Sequence, residues 1–492
     1  MRFLKITLYI FTLLLSQQMV MAQDAIEPQQ PATEVRAVWL TSSWGLDWPT
    51  QGISAEAQKK ELTDILDELE RLKFNVVLFQ ARSRGSVFYK SAYEPESPYY
   101  THARGFDPLA FAIEECHKRG LECHAWFVVF PAQRETKKLT AAQKAKKAKN
   151  YPSYYKLVDD VQWYIDPGNP AGRQYIVSMV DELVGKYDID GIHFDYIRYS
   201  DKASAFPDQD TYRKYSKGTP LKEWRRQNIN TLVSDIYTTV KSRKKWVQVS
   251  SSPLGKYREL PGVMRHTGWT AYETVHQDAG QWIKSGTHDL LFPMMYHKKD
   301  IFVPSLADWE EQSGERIIVP GLGLFMMQPK EHNWSLGTIK EMMDYVRENG
   351  KSGLAYFRTK DIIDNTKGVR DVIEDMYTYP AKLPPLTWLE DTTPEVPQEL
   401  EVYKDERGYL NIRWERPEGD DRTYTVYFSN QDIVDVNDAS CILRTRIDGD
   451  SLTFLCPVGE FGLYYSVTAT DRYHNESEPC ISGFFSHSEI DK

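Results

Sequence analysis

The run Asp190-Gly191-Ile192-His193-Phe194-Asp195-Tyr196-Ile197-Arg198-Tyr199 reads as a short buried strand that ends in a carboxylate, an arginine and tyrosines. Alternation along a strand puts His193 and Asp195 on one face. A carboxylate buried beside an imidazole at a strand's carboxyl-terminal end is costly unless the site uses the charge. The run is the fourth of eight similar ones. The others are Val35–Ser42, Asn75–Ala81, Glu122–Val129, Trp246–Ser252, Asp289–His297, Arg316–Leu324 and Gly353–Thr359. Helical patterns separate and follow them: Ala55–Lys73, Pro108–Arg119, Pro170–Lys186, Leu221–Arg243, Val275–Ser285, Pro304–Gln312, Leu336–Asn349 and Val369–Tyr377. Asn169-Pro170 supplies a cap followed by proline at the first helical position. Eight strand–helix units predict an α/β fold, a (β/α)8 TIM barrel.

The long insertions are Arg82–Gly105, Phe130–Asp166, Tyr199–Pro220 and Pro253–Thr274, after strands two to five. All fall on the carboxyl-terminal face, where barrels build their sites. The second insertion carries the lysine-rich piece Lys137–Lys149, either a solvated helix face or a groove wall for an anionic or N-acetylated glycan.

A chain of 492 residues exceeds one ordinary core. From Pro380 to Pro397 the composition turns to Pro, Thr and acidic residues, a linker signature. Short alternating strands follow, with Trp414 inward-facing, in the pattern of an all-β fibronectin type III-like sandwich. The expected division is a signal peptide at 1–22, the barrel at 23–379, a linker at 380–397 and the sandwich at 398–488. Arg2 and Lys5 precede the apolar run Ile6–Leu15, and Val20-Met21-Ala22 provides small residues for cleavage after Ala22. Export to the periplasm or cell envelope is therefore expected, with no integral membrane segment after cleavage. Sixty basic residues against 70 acidic ones, a net charge of −10, argue against a nucleic-acid partner. Five cysteines leave at least one thiol free, and no zinc-ligand spacing occurs. No cofactor is called for, and the oligomeric state is left open.

Strand parity gathers candidate side chains at the mouth: Gln80 and Arg82, His124 and Trp126, His193 and Asp195, Tyr296, and Arg358. Loops add Trp44, Asp47, Trp48 and Glu94. Aromatic rings suit stacking on sugar faces, which makes a polysaccharide the expected partner. Glycoside cleavage needs an acid for the leaving oxygen, and a second carboxylate or the substrate's own acetamide. Asp195 fits one of these roles, with Glu94 and Asp47 as candidate partners. Trp44, Trp48, Arg82, His124, Trp126, His193, Arg198, Tyr296 and Arg358 are expected to bind substrate. Structural alternatives exist for most of them, such as an Arg82 or Arg198 ion pair.

The chain resembles the bacterial family-10-like glycoside hydrolases, the DUF187 group, from Glu34 to about Tyr377. The resemblance rests on Glu34-Val35-Arg36-Ala37-Val38-Trp39-Leu40-Thr41 with Leu46-Asp47-Trp48-Pro49, and on Phe79-Gln80-Ala81-Arg82 with Tyr93-Glu94-Pro95. It continues through His124-Ala125-Trp126-Phe127, Asp166-Pro167-Gly168-Asn169-Pro170, the strand-four run and Pro293-Met294-Met295-Tyr296. It implies a TIM barrel acting on a glycan, peptidoglycan strands stripped of peptide in particular, with Asp195 as the catalytic carboxylate. Many relatives carry a second Asp where this chain has Tyr196. The strand-four run also looks like the chitinase pattern, but Ile197 stands where that pattern has its catalytic Glu.

Two other classes compete with a hydrolase. One is a non-catalytic carbohydrate-binding barrel in which Asp195 only hydrogen-bonds sugar. The other is a metal-dependent deacetylase or hydrolase using His124, His193, Asp195 and His297, disfavoured because strand one lacks a histidine pair.

Overall fold

The computed structural model describes residues 30–263, 268–416, 421–431, 433–455 and 464–480. The expected signal peptide lies outside them. Eight parallel strand positions form a ring: Val35–Leu40, Val76–Ser83, Glu122–Val128, Gly191–Asp195, Gln248–Ser251, Leu290–Leu291, a divided seventh position, and Gly353–Phe357. The seventh position is Ile317–Ile318, paired with strand six, and Gly321–Gly323, paired with strand eight. The division falls at Val319-Pro320, and proline cannot donate to a ladder. Ladder bonds continue across it from Val319 to Leu291 and from Ala355 to Pro320. Strand eight pairs with strand one, so the ring closes. The architecture is a (β/α)8 TIM-like barrel followed by a β-rich region.

Helices Pro170–Lys186 and Leu221–Arg243 occupy the residues expected of them. The helix expected from Pro304 begins five residues earlier, at Lys299, and carries the proline inside it. Strand six is much shorter than the expected Asp289–His297, because Pro293 interrupts its ladder after Leu291.

Two apolar layers follow from strand alternation. Val38, Leu40, Val77, Phe79, Ile192 and Phe194 face the helices. Val35, Ala37, Trp39, Val76, Leu78, Trp126, Phe292 and Ala355 fill the barrel's interior. Among the described residues, no helix is long and apolar enough to cross a membrane.

Residues 380–397 do not form a free tether. Leu383 and Leu386 are buried in the interior cluster with Val35, Val76, Leu290 and Ile317, at the amino-terminal ends of the strands. Trp388 donates its indole N–H to Asp289 at 2.9 Å, and the Arg316 guanidinium lies 4.5 Å from its ring. The segment plugs the barrel floor. Beyond it, two three-stranded antiparallel sheets share a core of Leu410, Ile412, Trp414, Tyr424, Val426, Tyr465 and Val467. Residues 481–488 of the expected sandwich lie outside the described residues.

This β-rich region docks on the floor, opposite the mouth. Arg446 pairs with Glu122 at 3.1 Å and with Asp190 at 3.0 Å. His474 reaches Glu122 at 2.7 Å. Packing at the turn is close enough that a Cβ on Gly120 would lie 2.7 Å from the Thr445 carbonyl. The four described cysteines, Cys116, Cys123, Cys441 and Cys480, are free thiols.

Candidate active site

Asp195 ends strand four on the interior face, and 7% of its surface remains exposed. One carboxylate oxygen accepts the Tyr196 backbone N–H at 2.7 Å. Burial raises its pKa above the usual carboxylate range, against the opposing pull of the Arg198 charge, the Tyr196 amide and the more distant Arg84. The group therefore holds a proton at a higher pH than an ordinary Asp. Tyr196 beside it has φ +53°, a left-handed conformation that non-glycine residues adopt at a cost. That turn sends the Tyr196 ring between two guanidiniums, Arg198 at 4.5 Å and Arg84 at 5.8 Å.

Rings wall the mouth. Tyr296 packs on Phe325 at 5.4 Å and on Phe357 at 5.9 Å, and it feels the charge of Asp195. Trp126 lies 6.4 Å from Phe357, and its buried indole N–H has no partner among the described residues. Trp44, at the end of strand one, is 48% exposed and stands 5.3 Å from the Arg84 guanidinium. Arg198 is bound to Asp201 at 2.6 Å, while its Nε has no hydrogen-bond partner among the described residues.

The structure moves several expected residues away from this mouth. Glu94 and Arg82 form a buried pair, with Nε to Oε2 at 2.7 Å and Nη2 to Oε1 at 2.5 Å. The reason is a register shift in strand two between Gln80, opposite Trp126, and Arg82, opposite Phe127. An extra residue there turns Arg82 onto the Phe127 side, where the guanidinium lies 5.0 Å from that ring and also donates to the Val128 and Val129 carbonyls at the end of strand three. Glu94 thus serves as the counter-ion of a buried arginine. Asp47 is also occupied: its oxygens accept the Thr41 N–H at 2.7 Å and the Lys360 N–H at 3.2 Å, with Arg358 Nε at 3.6 Å. Its side chain has 0% exposure, and burial lifts its pKa to about 6. Asp47 and Arg358 tie the strand-one loop to strand eight.

Trp48 is fully buried, packed on Phe79 and Phe88, with its N–H given to the Gln58 carbonyl at 2.7 Å. It is core, not substrate wall. His193 is sealed inside the barrel. Its Nε2 accepts the Trp39 N–H at 3.1 Å and its Nδ1 lies 3.0 Å from the Ser250 hydroxyl. Burial, with His124 and His288 nearby, holds its pKa well below the usual value, so the neutral ring bridges strands one and five. His124 sits one layer lower against Glu122 at 3.0 Å, in space that a Cβ on Gly191 would fill. These positions leave the proposed His124, His193, Asp195 and His297 set dispersed, and no group of three or more ligands converges among the described residues.

Arg84, Asp201 and Gln162 were not singled out by the sequence reading. Arg84 follows the Phe79–Arg82 motif by two residues, but only its place between Trp44 and Tyr196 gives it meaning. Gln162 comes from a three-stranded flap built in the strand-three insertion, and it accepts Arg84 Nη1 at 2.9 Å.

A carboxyl group whose pKa burial raises, set among aromatic rings at the carboxyl-terminal rim, can protonate the leaving oxygen of a glycosidic bond. The class defined is a barrel glycoside hydrolase. The chain belongs to the glycosyl hydrolase-like 10 family, whose pattern matches residues 34–331. It is 31% identical over 480 residues to the glycosyl hydrolase YngK of Bacillus subtilis (strain 168), covering 91% of this chain and 93% of that protein. It is 32% identical over 292 residues to the glycosyl hydrolase DigH of Escherichia coli (strain K12), covering 54% of this chain and 66% of that protein. Among solved structures, the glycoside hydrolase domain of PgaB (BpsB) from Bordetella bronchiseptica aligns over 70% of this chain and 99% of its own. That alignment has 15% identity and a TM-score of 0.45.

Proposed function

We propose that the protein is an exported glycoside hydrolase that cleaves an amino-sugar polysaccharide, peptidoglycan glycan strands or a close relative, with Asp195 as the catalytic carboxylate. The observation that carries this reading is the placement of Asp195. Among the described residues, it is a carboxyl group at the mouth that keeps 7% of its surface exposed and is held above its usual pKa. Asp195 would donate a proton to the leaving oxygen as the bond breaks, and Tyr296, Trp126 and Trp44 would hold the sugar rings. With Glu94 and Asp47 committed to internal bonds, the attacking group would be the substrate's own acetamide or a water near Asp201. An acetamide nucleophile fits an amino sugar. The six-stranded β-rich region, taken as a fibronectin type III-like module, would brace the barrel floor rather than bind glycan.

A second reading, a carbohydrate-binding barrel without turnover, is favoured by that same commitment of Glu94 and Asp47. One assay separates the two. The full chain is incubated with peptidoglycan, intact and enzymatically stripped of its peptides, and with plant and host glycans. New reducing ends and their fragments are then measured. Release from stripped strands, abolished by Asp195→Asn, is the expected result. Binding with no new reducing ends from any amino-sugar glycan would favour the lectin-like reading.

A further inference from the structure

The mouth holds a cation with no carboxylate partner among the described residues. Arg84 lies at the end of strand two, partly exposed, stacked between the exposed Trp44 ring and the Tyr196 ring. Its hydrogen-bonding partner is a neutral amide, that of Gln162. Among the described residues no carboxylate lies within ion-pair distance of it. The neighbouring arginines differ in this respect: Arg82 is paired with Glu94, Arg198 with Asp201, and Arg358 faces Asp47. Arg84 therefore keeps donor capacity that no carboxylate of the described residues takes up, next to the rings that wall the mouth, although its charge is felt at Asp195. The flap that holds it is basic. Residues 130–166 contain eight Lys and Arg against four Asp and Glu, in a chain of net charge −10. Two of those lysines are paired, Lys144 with Asp160 and Lys147 with Glu135, whereas Arg134, Lys137, Lys138, Lys146 and Lys149 are exposed. Positive charge is thus concentrated on the insertion over the mouth of an otherwise acidic protein, an arrangement that attracts anionic ligands.

We propose that Arg84 is a specificity-determining residue that binds a carboxylate carried by the glycan next to the scissile linkage, so that the substrate is an acidic, carboxylated polysaccharide. The inference rests on the glycan-cleaving reading above. A guanidinium offers two parallel N–H donors to a carboxylate, and its flanking rings allow a sugar to stack alongside. The carboxylate could belong to a uronic acid ring or to a lactyl ether on an amino sugar, and the chemistry at Arg84 is the same for both.

The test compares each glycan with its carboxyl-reduced form, in which the acid has become an alcohol. Lactyl-bearing strands free of peptide form one arm and a uronic-acid glycan the other. Turnover is measured with wild type, Arg84→Gln and Arg84→Lys, and binding is measured in the Asp195→Asn background. Arg84→Gln should raise KM for the carboxylated glycan about tenfold or more, with kcat nearly unchanged. It should leave KM for the reduced glycan unaltered, and Arg84→Lys should recover part of the loss. The arm that shows this pattern identifies the source of the carboxylate. Equal handling of both forms by wild type would overturn the inference. So would an Arg84→Gln effect of the same size on both forms, since that marks a structural role or an action through Asp195, which also feels the Arg84 charge. If no glycan is cleaved but the carboxylated form binds more tightly in an Arg84-dependent way, the inference stands and the hydrolytic reading falls.

Discussion

Asp195 owes its chemistry to burial in sight of solvent. Desolvation disfavours its charged form, while Arg198 and the Tyr196 amide keep the group from becoming permanently neutral. Asp195→Asn should lower kcat by about a hundredfold to ten-thousandfold with little change in KM. The same change should leave the melting temperature equal or higher, because the amide carries no desolvation penalty. Thermal unfolding alongside steady-state kinetics checks both. In the wild type, kcat should fall as pH rises through the elevated pKa of Asp195, because the acid form is lost. Asp47 gives a stability signature of its own. With a folded-state pKa near 6, it holds its proton more tightly folded than unfolded. Its contribution is full below about pH 4 and is lost as pH rises through 6, amounting to about 3 kcal/mol at most. The difference between wild-type and Asp47→Asn denaturation curves, measured from pH 4 to 7.5, should contain this step. A flat difference would show that the loop tie does not titrate.

At the scale of elements, the bulge in strand two decides which carboxylate remains available for chemistry. Strict alternation would leave Arg82 on the interior face with Gln80, and the register shift sends it to the Phe127 side with Glu94. Glu94→Gln would leave a fully buried guanidinium without its counter-ion, at a cost of about 3–5 kcal/mol. Urea denaturation should therefore show a large loss of stability. A variant that unfolds like wild type yet has lost turnover would instead assign Glu94 to catalysis. The sequence shows Arg82 and Glu94 as polar residues near a strand end. It does not show the inserted residue, because a bulge is fixed by pairing with strand three and not by local propensity. The flap is a similar case: its lysines are visible in the sequence, but its contact with Arg84 through Gln162 exists only once three short strands have paired.

On the scale of the whole molecule, the two ends of the barrel have different duties. The carboxyl-terminal rim holds Asp195, and the floor is closed by Leu383 and Leu386 and by the β-rich region. Asp190, the first residue of the strand-four run, belongs to the floor. Although burial opposes it, His117 and Arg446 hold its pKa down to about 2, and His474 and Arg446 likewise depress Glu122. Those carboxylates contribute docking stability above about pH 4, lost as pH falls through their depressed values. The His117–Asp190 pair lies within the barrel, and Arg446 opposes protonation of His117, so the His117 charge does not strengthen docking. Docking should therefore be tightest above about pH 4. Limited proteolysis in the 380–397 segment across pH should show the slowest cleavage there. Glu122→Gln should speed cleavage at every pH while changing kcat little, since Glu122 lies on the face opposite Asp195.

The order of strands and helices, the barrel, the long insertions on one rim and the position of Asp195 at a strand end are determined by the sequence itself. Each is written in local periodicity, caps and the spacing of apolar residues, which act over a few residues at a time. Tertiary structure alone decided that Trp48 and His193 are sealed in the core, that Glu94 and Asp47 are bound to internal partners, that residues 380–397 plug the floor, and that Arg84 has no counter-ion among the described residues. Those outcomes depend on register between strands far apart in the chain, where one inserted residue or one buried partner determines whether a charge faces solvent, substrate or another charge.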